Sequence, residues 1–127
     1  MTATRHGLLL FAHGARDATW AEPFEAVARR CRALRPGEPV ALAFLEFMRP
    51  GLVECGAELA AQGCDGVDVV PLFLGVGGHV RKDIPLLLAQ LAERFPAVQW
   101  RLQPTVGESE AVVEAMAQVA AGNGVRR

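Results

Sequence analysis

No apolar run in this 127-residue sequence approaches the roughly 20 residues that a membrane-crossing helix needs. The first apolar run, Leu8 to Ala12, is also too short for the core of a secretion signal, and no cleavage pattern follows it. A cytoplasmic protein with no membrane partner is therefore expected. No charge of one sign dominates: 13 Lys and Arg face 14 Asp and Glu, a net charge of −1. That leaves no general basic field to favour nucleic acid or an anionic membrane. No C-x-x-C pair occurs, and the cysteines, Cys31, Cys55 and Cys64, are odd in number. We read them as small buried hydrophobes in a reducing compartment. Internal repeats, low-complexity tracts and linkers are absent too, so one domain over residues 1–127 is expected, ordered over about 7–121.

What is present is ordinary globular composition, 51% hydrophobic and 21% charged, which excludes disorder. A domain of this size buries roughly two-thirds of the surface its unfolded chain exposes, so it folds without disulfides or a structural metal. Along the chain, short apolar runs alternate with helical stripes. Leu8 to Ala12, Val40 to Leu45, Val67 to Leu74 and Val98 to Leu102 read as strands. Between them, Trp20, Phe24, Val27, Ala28, Cys31 and Leu34 form one helical stripe, and Leu52, Cys55, Gly56, Leu59 and Ala60 a second. Val80, Ile84, Leu87, Leu88, Leu91 and Phe95 form a third, with Pro85 expected early in its helix. Val112, Val113, Met116 and Val119 form a last one, followed by a frayed tail from Gly122. Four β–α units in series predict a three-layer α/β fold with a four-stranded parallel sheet. Right-handed crossovers and the usual doubly wound pattern make its order 2-1-3-4.

Ligands of such sheets bind beyond the carboxyl ends of the strands, where the order reverses. Here that point lies between the first and third strands. Histidine is scarce, with His6, His13 and His79 the full set, yet His13 directly follows the first strand and His79 follows the third. Adjacent strands lie about 4.8 Å apart, so the two imidazoles can share one ion. Glu46 ends the second strand, giving a row Glu46, His13, His79 that suits a borderline divalent metal and leaves coordination positions open. From spacing alone, structural, hydrogen-bonded histidines remain the other reading. His6 precedes the first strand, at the opposite edge, and is given no role. Arg16, Arg49, Arg81 and Lys82 fall on the same three loops, a rim suited to a polyanionic ligand or a solvated surface. The run Gly75-Val76-Gly77-Gly78 lacks a dinucleotide or Walker signature. We read its glycines, Gly77 and Gly78 included, as giving a bulky planar ligand close access to backbone.

Three segments carry a resemblance: Leu8 to Asp17, which reads L-L-L-F-A-H-G-A-R-D; Phe44-Leu45-Glu46; and Val70 to Pro85, with its G-V-G-G-H-V-R-K-D-I-P. They resemble the short form of the CbiX/SirB sirohydrochlorin chelatases, class II chelatases, in family-like spacing over roughly residues 7 to 108. The resemblance implies a chelatase-like fold, half of a paired flavodoxin-like architecture, and insertion of a divalent metal into a sirohydrochlorin-type tetrapyrrole. Cobalt is the first expectation, with nickel or iron next, serving cobalamin- or sirohaem-type biosynthesis. It places metal-binding and catalytic roles on His13 and His79, and a supporting acidic one on Glu46. It also implies a paired-domain cleft, hence a homodimer for a single domain. The metal is a substrate, and no organic cofactor is called for. Ala15 departs from the pattern, since many relatives have a hydroxyl residue there, as H-G-S-R. A carrier of metal or tetrapyrrole that does not insert the ion is the competing function. Arg5-His6-Gly7 spells a phosphatase signature but on the wrong side of its strand. A receiver domain would want an acid ending the third strand, where Pro71-Leu72-Phe73-Leu74 has none.

Overall fold

The protein was analysed as a computed structural model that describes residues 4–122, with His79 described in its backbone alone. The frayed tail expected after Gly122 falls on residues 123–127, outside the described part.

Four strands, β1 (His6–Ala12), β2 (Val40–Phe44), β3 (Gly66–Pro71) and β4 (Gln99–Leu102), form one parallel sheet in the order β2-β1-β3-β4. The order expected from the β–α alternation is the one observed. β1 is central: Leu8 pairs with Val40 on one side and Asp68 on the other. A strand with neighbours and helices on both sides has no solvent face, which is why Leu8–Ala12 reads as an unbroken apolar run.

Alternate residues of β1 serve two cores. Leu9 and Phe11 join Val67, Val69, Leu59, Ile84 and Leu91 beneath α2 (Leu52–Ala61) and α3 (Gly78–Arg94). Leu8 and Leu10 meet Ala28 of α1 (Glu22–Leu34) on the opposite face. Full burial of each large side chain contributes about 1.5–3 kcal/mol, so the first core, with by far more of them, carries most of the stability. The stripe predicted for α3 lies in it. The stripe predicted for α1 is looser: Trp20 sits in a short 3-10 turn (Ala18–Ala21), and Leu34, the last residue of α1, is 80% exposed.

Two local expectations shift. Pro50, which the sequence suggests as the opening residue of the second helix, lies ahead of α2, which is capped by Gly51, and its peptide bond with Arg49 is cis. Pro85 lies two turns inside α3, because that helix starts at Gly78, ahead of the apolar stripe. A proline there has no N–H to offer the Arg81 carbonyl four residues back.

The last helix, α4 (Glu110–Ala120), departs from the layered plan. It packs on the 3-10 turn Val106–Glu108 and makes no substantial contact with any strand. Its apolar stripe is therefore bare: Val113, Met116 and Val119 are each half exposed or more. No helix among the described residues is long and apolar enough to cross a membrane.

Candidate active site

Every predicted site residue lies on the loops that leave the carboxyl ends of β1, β2 and β3, or on the first turns of α3. The β1–β2 ladder runs past the strand ends and fixes the first two of them. The Leu45 N–H donates to the Ala12 carbonyl at 2.9 Å, and the Glu46 N–H donates to the His13 carbonyl at 3.0 Å. His13 and Glu46 are thus backbone neighbours, as their places at the ends of adjacent strands imply.

Gly14 then turns the chain with a φ of +92°. A Cβ at this position would overlap the Glu46 carbonyl oxygen, so glycine is required for both conformation and space. Asp17 closes the loop. Its carboxylate accepts hydrogen bonds from the Thr19 N–H at 3.0 Å and the Thr19 hydroxyl at 2.8 Å, and these hold its carboxyl below the usual value.

The His13 ring is half-buried and lies on the face of Phe73, with ring centroids 4.2 Å apart and a 34° tilt. Phe73 follows β3, is 2% exposed, and rests in turn on Phe11 at 5.8 Å. An aromatic platform fixes the imidazole plane without using its nitrogens, which keeps both for a proton or a metal. No hydrogen bond to the His13 ring occurs among the described residues. Phe73 is the functional residue that the sequence reading missed. In the sequence it looks like one more apolar residue of the third strand, and only the register between β1 and β3 puts it beside His13.

His79 is the second residue of α3, just past the Gly75–Gly78 loop, and so stands at the exit of the strand adjacent to β1. Its side chain lies outside the described part of the structure. Gly75, Gly77 and Gly78 have negative φ, and a Cβ on any of them would meet nothing within 4 Å. Neither the backbone conformation nor the packing of this chain needs glycine there.

Of the expected cations, Arg16, Arg81 and Lys82 are exposed. Arg16 is held over the ring of Phe47, 4.7 Å from its centre. Arg49 is already engaged: its Nη2 donates to Glu54 at 2.6 Å, raising the arginine and lowering the carboxyl, and Glu54 also accepts from the Gly51 N–H at the start of α2. That pair lies at the start of α2 and leaves the Arg49 side chain 84% exposed. His6, by contrast, is the first residue of β1 at the far edge, with Nδ1 3.2 Å from the Arg101 guanidinium. Arg101 is in turn tied to Asp68 at 3.0 Å, a structural cluster. Among the described residues, no three His, Cys, Asp or Glu side chains converge on one point.

The CbiX family model matches residues 7–122. This chain belongs to the CbiX family. The resemblance read from the three segments is thereby borne out over nearly the whole chain. The sirohydrochlorin cobaltochelatase of Sulfurisphaera tokodaii is 30% identical over 109 residues, which are 86% of each chain. A putative cobalamin biosynthesis CbiX protein from Marinobacter aquaeolei superimposes with a TM-score of 0.82 at 33% identity, covering 96% of this chain and 99% of that one. SirB from Bacillus subtilis, solved with Fe3+, superimposes with a TM-score of 0.80 at 28% identity. There the match covers 96% of this chain but 48% of SirB. The CbiX chain is thus as long as one relative and about half as long as another.

Proposed function

We propose that this CbiX-family chain is a metal chelatase that inserts a divalent ion, cobalt first among cobalt, nickel and iron, into a sirohydrochlorin-type tetrapyrrole. The observation that carries the reading is His13: an imidazole stacked on Phe73 at the reversal point of the sheet, its ring taking no hydrogen bond among the described residues. Relatives named for cobalt insertion, and one solved with iron, support the metal class.

Insertion of a divalent ion releases two pyrrole N–H protons, while the ion sheds its other ligands. His13 and His79 hold the ion through ring nitrogens over the macrocycle face. A neutral imidazole accepts a departing proton near neutral pH. Glu46, beside His13 in the ladder, lends negative charge to the arriving cation or passes the proton to water. Arg16, Arg81 and Lys82 pair with peripheral carboxylates and orient the ring; Gly77 and Gly78 let it approach backbone. No organic cofactor enters this scheme.

The working unit we propose is a homodimer. The chain matches about one half of SirB, and α4 carries an apolar stripe that no described residue covers. A second copy burying that stripe accounts for both. Light scattering should give twice the chain mass, and Met116→Glu should give monomers; a wild-type monomer at working concentration rejects the dimer.

Anaerobic incubation with sirohydrochlorin and cobalt, nickel or ferrous iron, followed by absorbance, tests the activity. Many equivalents of metallated product per chain are expected. A single equivalent, bound and not released, would assign the chain to carrying instead.

A further inference from the structure

The described surface holds a large cleft that shares only Arg81 with the predicted site residues. It lies between the exit of β4 and the first turns of α3 and has a volume of about 670 Å³. One wall offers Leu74, and the other offers Leu102, the last residue of β4. Both are unusually open for leucine, 62% and 46% exposed. Arg81 overhangs the cleft, and Thr105 and Glu108 line its far side.

The walls are fixed in place. The Gln103 N–H donates to the Val69 carbonyl and the Gly107 N–H to the Phe73 carbonyl, both at 2.9 Å, so the segment after β4 runs on beside the end of β3. Gly107 comes so close to Leu74 that a Cβ would overlap its backbone. The same stretch after β3 supplies Phe73, the platform of His13. The cleft and the histidine are thus anchored to one stretch of chain.

Arg81 forms no ion pair among the described residues; its guanidinium makes only a long 3.4 Å donation to the Val76 carbonyl. A cleft with apolar walls, one available guanidinium and a hydroxyl matches a flat apolar edge that ends in a carboxylate. It opens beside the Gly75–Gly78 loop, on the side away from β2.

We infer that this cleft holds one carboxylate-bearing edge of the macrocycle, with Leu74 and Leu102 against the ring, Arg81 on the carboxylate and Thr105 as a hydroxyl partner. The inference rests on the chelatase reading and adds β4 and its exit to the substrate site. Glu108 opposes a second carboxylate in the cleft, which selects how the ring sits and gives the test a variant of opposite sign.

Metal-free protein spanning residues 1–127 is titrated with sirohydrochlorin, and binding is read by absorbance. Leu102→Asp and Arg81→Ala should each weaken binding about tenfold, while Glu108→Gln should tighten it about threefold. Leu74→Gln, at the more exposed wall, serves if Leu102→Asp fails to fold by circular dichroism. Leu86→Asp, on the outer side of α3 and 63% exposed, should bind like wild type. Cobalt binding, measured separately, should not change in any of them. Unchanged macrocycle affinity in folded Arg81→Ala together with Leu102→Asp or Leu74→Gln overturns the cleft and leaves the chelatase reading standing. A wild-type protein that binds no sirohydrochlorin overturns that reading first, and the cleft with it.

Discussion

The loop after β1 and the loop after β3 leave the same edge of the sheet and are built in opposite ways. Residues 13–17 are over-determined from within. His13 rests on Phe73, Gly14 admits no side chain, and Asp17 is tied to Thr19. Residues 74–78 are under-determined: Leu74 is exposed, and three glycines occupy places where this chain would tolerate any small side chain. A loop finished by its own chain sets a reactive group precisely enough for chemistry. A loop left open has its shape completed by something outside the chain. The first loop holds His13, and the second is the one proposed to receive the macrocycle.

The sharpest way to break that contrast is at the rigid loop. His13→Ala should lower metal insertion by about 100-fold or more, since a positioned proton acceptor is worth at least that. The fold should survive, because the ring makes no hydrogen bond among the described residues. Insertion assays with circular dichroism check both, and His79→Ala should match it in activity. An active His13→Ala protein would remove the proposed mechanism. Gly14→Ala comes next. It forces a side chain into a φ of +92° and against the Glu46 carbonyl, at a cost of about 2–4 kcal/mol. Thermal unfolding should show it, with activity lost alongside as His13 shifts.

The architecture was legible because it follows from period and alternation. The run Leu8–Ala12 and the α3 stripe have no other good reading, and crossover handedness left few sheet orders, of which the usual doubly wound one is observed. The row Glu46, His13, His79 was legible as places at strand ends. What escaped was tertiary. Phe73 became a platform through the pairing of β1 with β3, and Arg49 was taken by Glu54 across the start of α2. The stripe of α4 was legible as an apolar face, but periodicity does not report what covers such a face. The cleft beside β4 was invisible for the same reason: its two leucines look in sequence like any buried pair.

The open loop yields a prediction of the reverse kind. Gly75→Ala with Gly78→Ala, which leaves the Gly77 cap of α3 in place, should keep or slightly raise the melting temperature. Alanine is the better residue in α3, of which Gly78 is the first, and it narrows the unfolded ensemble. Yet sirohydrochlorin affinity should fall about three- to tenfold, as two methyl groups stand between the backbone and the ring. Stability and binding moving in opposite directions is the signature of a loop shaped by its ligand. If both fell together, these glycines would be serving the fold after all.

Asp17 gives the smallest effect and tests how completely the first loop is locked. Its carboxyl is held below the usual value of 3.8, first by the Thr19 hydroxyl and then by the Thr19 N–H. A depressed folded-state value means the stabilisation is fully present above the ordinary carboxyl range and is lost as pH falls through the folded value. Asp17→Asn keeps the shape and removes the charge. The variant should therefore melt slightly below wild type at neutral pH, and the gap should close in acid. The site is exposed, so the shift is small. A gap that persisted unchanged into acid would mean that the charge plays no part, and that Gly14 and Phe73 alone hold His13 in place.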